Sequence, residues 1–200
     1  MKSTATAVSS ALKDGFLIDC LCTNDILIDD VLRAAGELDR VGDGCTRRNY
    51  VRGVFAAMEG ITYGMKRVVL RIAKEREFKL DAHDLGRLNE TKLGAHGESQ
   101  KFFLPFCDNV KFAFEMFAKI HRFTCRADFR CKGWAALLAA VEIRNRLMHP
   151  KSSIELEVGD NDLTEIREAA DWYFPTYKLL MAQATRILPP IEPTKTTPQP

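Results

Sequence analysis

Between residues 54 and 72 one apolar side chain recurs at alternating steps of four and three: Val54, Met58, Ile61, Met65, Val68, Ile72. Only an α-helix brings such positions onto one face, so this stretch predicts a long helix that must bury that face against something. Thr46 stands where it can cap the start. Gly53, Gly60 and Gly64 each lower helix propensity by about 1 kcal/mol relative to alanine. Small residues at that spacing let a second helix approach closely, which would offset part of the cost.

Other segments carry the same period. Ile26, Ile28, Val31, Leu32 and Ala35 predict a helix over 25–38, with Asn24 as its N-cap, before the break at Gly42-Asp43-Gly44. Residues 81–100 are polar; 81–89 reads as a short helix and the rest as loop. Pro105 suits a first helical turn, and Phe106, Val110, Phe114 and Phe117 form the stripe of a helix to His121. A further helix is expected over 129–149, ending where Pro150 disfavours helical geometry at His149. Residues 152–158 read as a short extended crossover. A last helix follows over 162–188, capped by Asp160 or Asn161 and kinked at Pro175. The expected class is all-α: an antiparallel bundle of about four long helices plus a short helix or loop. The domain would span 14–188, with a frayed start at 1–13 and a disordered Pro/Thr-rich tail at 189–200.

Composition narrows the function. A formal net charge of +2 over 200 residues announces no partner by itself, so a nucleic-acid reading must rest on local clusters. No apolar run approaches the roughly 20 residues of a membrane span, and Lys13, Asp14 and Asp19 interrupt any leader-like stretch. A cytoplasmic protein without membrane contact is the expectation. Cys20, Cys22, Cys45, Cys107, Cys125 and Cys131 form no C-x-x-C pair, so they read as buried reduced thiols rather than zinc ligands. No metal or cofactor is expected.

One segment departs from core logic. On helix 129–149 the apolar stripe runs Trp134, Leu137, Val141, Met148, which calls for an apolar residue at 144 or 145. Arg144 and Asn145 stand there instead. Arginine is rarely buried without a partner, so this helix end must open onto a cleft, a partner surface or an acidic group. Glu59, beside the long stripe, is one available acid. At about 100° per residue, positions 145 and 149 share a face while 144 and 149 stand about 140° apart. The plain alternative is a helix end: Arg and His favour a last turn, and proline follows it.

The string Arg144-Asn145-x-x-x-His149 at the end of a bundle helix resembles the motif of the HEPN superfamily, an Arg followed after four to six residues by His, commonly with a polar residue just after the Arg. The specific resemblance covers residues 134–150. It implies a small helical bundle, usually a homodimer, and often a metal-independent ribonuclease of toxin–antitoxin or antiviral systems. Many members are binding modules instead.

The residue types suit that chemistry. Metal-free RNA cleavage needs a proton acceptor for the 2′-hydroxyl, a proton donor for the leaving oxygen and cations for the phosphorane. Histidine exchanges protons near neutral pH, and arginine binds phosphate oxygens through a planar fork. Arg144 would stabilise charge, Asn145 would orient, and His149 would move the proton. One histidine cannot easily take both proton roles, which favours a dimer presenting two motifs. Basic residues gather along the long helix (Arg47, Arg48, Arg52, Lys66, Arg67, Arg71, Lys74, Arg76) and around 119–132 (Lys119, Arg122, Arg126, Arg130, Lys132). Arg47, Arg48, Arg52, Arg126, Arg130 and Lys132 are the candidate RNA contacts, with a solvated helix face as the alternative. His83, His96 and His121 read as loop or surface residues. The expected function is thus a HEPN-like endoribonuclease or RNA-binding toxin with a cognate antitoxin or defence partner. The rival is a catalytically silent interaction module.

Overall fold

The computed structural model describes residues 16–93 and 98–187. The start expected to fray at 1–13, the tail at 189–200 and His96 lie outside the described residues. The elements run α1 (Phe16–Val41), α2 (Gly44–Glu75), α3 (Ala82–Asn89), β1 (Thr91–Leu93), β2 (Ser99–Lys101), α4 (Phe106–His121), α5 (Lys132–Met148), a 3-10 turn (Ile154–Leu156) and α6 (Asp160–Ile187). The class is the expected all-α bundle, with five long helices among the described residues. None of them is long and apolar enough to cross a membrane.

Helix α2 is the central post. All six residues of its 54–72 stripe are buried, and they pack against α1, α4 and α6. Helix α1 runs antiparallel along it: Gly53 faces Ala34, Gly60 faces Leu27 and Gly64 faces Asn24. A Cβ at Gly60 would stand 2.6 Å from Leu27 Cδ1, so this glycine permits the close approach. Helices α5 and α6 are likewise antiparallel, with Gly133 against Trp172 at one end and Arg146 against Asp162 at the other.

Several local expectations are corrected. Asn24 is no cap: α1 begins at Phe16, and Asn24 lies buried inside it, donating to the Tyr177 hydroxyl on α6 at 2.8 Å. Asp43, not Thr46, caps α2; its Oδ1 accepts from the Thr46 amide at 2.7 Å, and the Thr46 hydroxyl donates back to the Asp43 carbonyl. Part of the polar 90–101 stretch is a hairpin, Thr91 opposite Lys101, rather than loop. Its three-residue strands are too short and polar to print an apolar alternation. Residues 154–156 form a turn of 3-10 helix, not an extended crossover. The cysteines are not buried: Cys22 and Cys45 are exposed and the other four half-buried, none in a disulfide. Burial still pushes the Cys107 thiol up to about 11, which makes it a poor nucleophile.

A polar thread crosses the apolar core. The Tyr173 hydroxyl on α6 donates to the Met58 carbonyl at 2.9 Å and bonds with the Thr62 hydroxyl at 2.8 Å. The Tyr173 and Thr62 hydroxyls thereby have partners, which is the condition for tolerating them there.

Candidate functional site

The buried stripe of α5 is Ala136, Leu137, Ala140, Ile143 and Leu147. The inward line therefore differs from the expected one, since Met148 is half-exposed and Val141 stands at the rim. Arg144 lies between Ala140 and Leu147 at spacings of four and three, so its Cβ leaves from the edge of the packed face. It keeps 29% of its side chain exposed. Its Nη2 donates to Glu59 Oε1 on α2 at 2.6 Å, and its Nη1 donates to Asn145 Oδ1 at 3.1 Å. The acid that a half-buried arginine calls for is thus Glu59.

His149 is the C-cap of α5, with φ −133° and ψ 55°, outside helical geometry as Pro150 dictates. Its amide donates to the Asn145 carbonyl at 3.0 Å, and its side chain is exposed. The side-chain partner of Asn145 among the described residues is Arg144 rather than His149, so Asn145 braces the guanidinium and holds the His149 backbone.

Arg144 opens onto a groove of about 210 Å³ between α2 and α5. Val51, Phe55 and Leu147 supply a buried apolar floor. Ala56 and Met148 form the rim, and Arg52, Glu59 and Arg144 bring the charges. His149 follows Met148 directly, where α5 ends, and is not among the residues that line the groove.

The chain beyond His149 is held by arginines. Arg146 donates to the carbonyls of Glu155 and Glu157 and pairs with Asp162. Arg48 donates to the Leu156 carbonyl at 3.4 Å. Arg47 donates to the Val158 carbonyl at 3.0 Å and pairs with Asp160 at 2.7 Å. Four consecutive carbonyls, 155 to 158, are thereby taken by guanidinium groups. Arg47 and Arg48, both expected to face solvent as candidate RNA contacts, spend donors on this bracket.

The remaining basic candidates divide. Arg52 is exposed on the groove. Arg126 and Arg130 are exposed on the 122–131 connection, far along the chain from the groove residues. Lys132 is paired with Glu168 at 2.6 Å. Lys66, read from sequence as surface charge, is 1% exposed; its ammonium donates to Glu90 Oε1 at 2.6 Å and to Asn109 Oδ1 at 3.0 Å. His121, read as a surface residue, is buried between Phe117 and Phe123, with Nδ1 2.8 Å from the Phe117 carbonyl. Sequence reasoning missed Arg146. Its signal was faint: an arginine in the last turn of the helix, with acids at 155, 157, 160 and 162 beyond it.

Among the described residues, the trio of ligand types that comes together is Asp81, His83 and Asp84, within 4.8 Å. Asp81 caps α3, and Asp84 pairs with Lys119 at 3.0 Å. Comparison with family models, with characterised protein sequences and with solved structures finds no match to this chain.

Proposed function

We propose that the chain is a HEPN-like domain that binds RNA at the α2–α5 groove and cleaves it without a metal ion, acting as a toxin or a defence nuclease. The observation that carries this reading is a guanidinium at the groove, Arg144 braced by Asn145 and Glu59, with the His149 side chain in solvent where α5 ends five residues later. A braced guanidinium is ready to receive a phosphate, and an exposed imidazole is free to take or give a proton. The test is cleavage of single-stranded RNA in EDTA by wild type beside His149→Ala. The variant should lose a hundred- to ten-thousand-fold in rate while keeping its helical content, because an exposed side chain at a helix end supports no packing. Wild type that cleaves no RNA, or only with added metal, would sink the reading.

A second reading has its own support. Leu138 is 50% exposed and Met148 49% exposed on the same side of α5 as Val141 and Asn145. That stripe suits a protein partner, which is the interaction-module alternative. In that case Arg144→Ala would weaken self-association or partner binding, and wild type would cleave nothing.

A further inference from the structure

The groove says more about its occupant than that it is anionic. At about 210 Å³ it falls below the roughly 300–1,000 Å³ of pockets that enclose a drug-sized ligand, so it takes one ring system or one side chain. Its floor, Val51, Phe55 and Leu147, is apolar and buried. Glu59 and Arg52 stand seven residues apart on α2, two turns, or about 10 Å along the axis. Arg52 has no hydrogen-bond or ion-pair partner among the described residues. Glu59 gives Oε1 to Arg144, and its Oε2 receives no donor among the described residues. The lining therefore offers an apolar slot, one open carboxylate oxygen and two guanidinium groups.

An aliphatic side chain would fill the slot and leave those polar groups unused. An acidic peptide would meet Glu59. A nucleotide answers all three features: flat apolar faces for the floor, an N–H donor on the base edge for Glu59, and a phosphate for the arginines. We infer that the α2–α5 groove holds one unpaired nucleobase bearing an exocyclic amino group, adenine, cytosine or guanine in preference to uracil, with Glu59 as the residue that reads it. The inference rests on the RNA reading above and deepens it. Uracil is disfavoured because its one edge donor, N3–H, is flanked on both sides by carbonyl oxygens that would meet the carboxylate, where the amino bases present an exocyclic N–H donor at the edge. Arg52 and Arg144 hold backbone phosphate and are blind to the base.

The test uses the full chain carrying His149→Ala, with short oligoadenylate, oligocytidylate and oligouridylate probes read by fluorescence anisotropy. Adenylate and cytidylate should bind about tenfold tighter than uridylate, the scale of one hydrogen bond to a charged acceptor. Adding Glu59→Gln should flatten or reverse that order, because an amide also donates to a uracil carbonyl. Adding Arg52→Gln should weaken all three probes alike. Equal binding of the three, an order unchanged by Glu59→Gln, or binding of none would overturn the inference. Cleavage by the wild-type chain is scored separately. Cleavage indifferent to base removes this inference and leaves the nuclease standing; base-selective binding without cleavage does the reverse.

Discussion

Arg144 on α5 and Glu59 on α2 stand 2.6 Å apart, an ion pair between two helices that otherwise touch little. Their side chains are 29% and 43% exposed, so water screens much of the attraction. A double-mutant cycle with Arg144→Ala and Glu59→Ala, read by urea unfolding, should give a coupling below about 1 kcal/mol that shrinks with added salt. A coupling of several kcal/mol would mean that the pair holds the fold, and activity losses in either variant would then be uninterpretable.

Lys66 should behave in the opposite way. It is 1% exposed, and its ammonium ties α2 to Glu90 after α3 and to Asn109 on α4. Lys66→Met keeps the aliphatic stem and strands both acceptors. Glu90 retains some contact with water, so the expected loss is about 1–3 kcal/mol, measured as a lower denaturation midpoint. A variant as stable as wild type would show that the buried ammonium contributes nothing net.

His121 sets a pH dependence. Burial is the largest cause holding its imidazole below the ordinary histidine range, with Arg76 adding to the effect; the contact with the Phe117 carbonyl opposes them. The folded state therefore takes up its proton at lower pH than the unfolded chain. This contribution is intact above the unfolded value, about 6.5, and is lost as pH falls from there toward the folded value. Thermal midpoints measured between neutral and mildly acidic pH should fall for wild type and fall less for His121→Phe, which keeps an aromatic ring against Phe117 and Phe123. Identical pH profiles would remove His121 as the cause.

The exposed apolar positions of α5 give the proposed self-association a test. We expect a homodimer in which two motifs face one another, and Leu138→Asp should shift it to monomer in light scattering at micromolar concentration, since it places a charge on an exposed apolar position. A wild-type monomer under those conditions would count against the dimer and against sharing proton roles between two copies of His149.

How much of this was legible in the residues depended on which force decided each position. The α2 stripe was readable because burial and the helical period speak together, and the end of α5 because Pro150 fixes it sterically. Asn24 and Lys66 were misread for one reason: the hydrogen bond that makes a polar side chain a core residue comes from a distant partner, Tyr177 and Glu90, that local sequence cannot assign. His121 has its partner one turn away, the Phe117 carbonyl, and its burial with Phe117 and Phe123 is decided by how α4 packs. The oddity of Arg144 was visible; that Glu59 answers it was one open option, decided by how α2 and α5 pack. The bracket on 155–158 left only the faint trace of acids beyond Arg146, since carbonyl acceptors are present at every residue.

That bracket has an electrostatic side. A carbonyl satisfies a guanidinium's donors without cancelling its charge, whereas Arg47 and Arg146 are offset by Asp160 and Asp162. Near the start of α2 the capping Asp43 carboxylate offsets part of the Arg48 charge and of the positive end of the helix macrodipole, but Arg52, further along, has no acidic partner among the described residues. Arg52 is therefore the main source of positive field beside the groove. A polyanion diffusing in would feel it over about a Debye length, so low ionic strength should speed its capture even though the chain as a whole is nearly neutral.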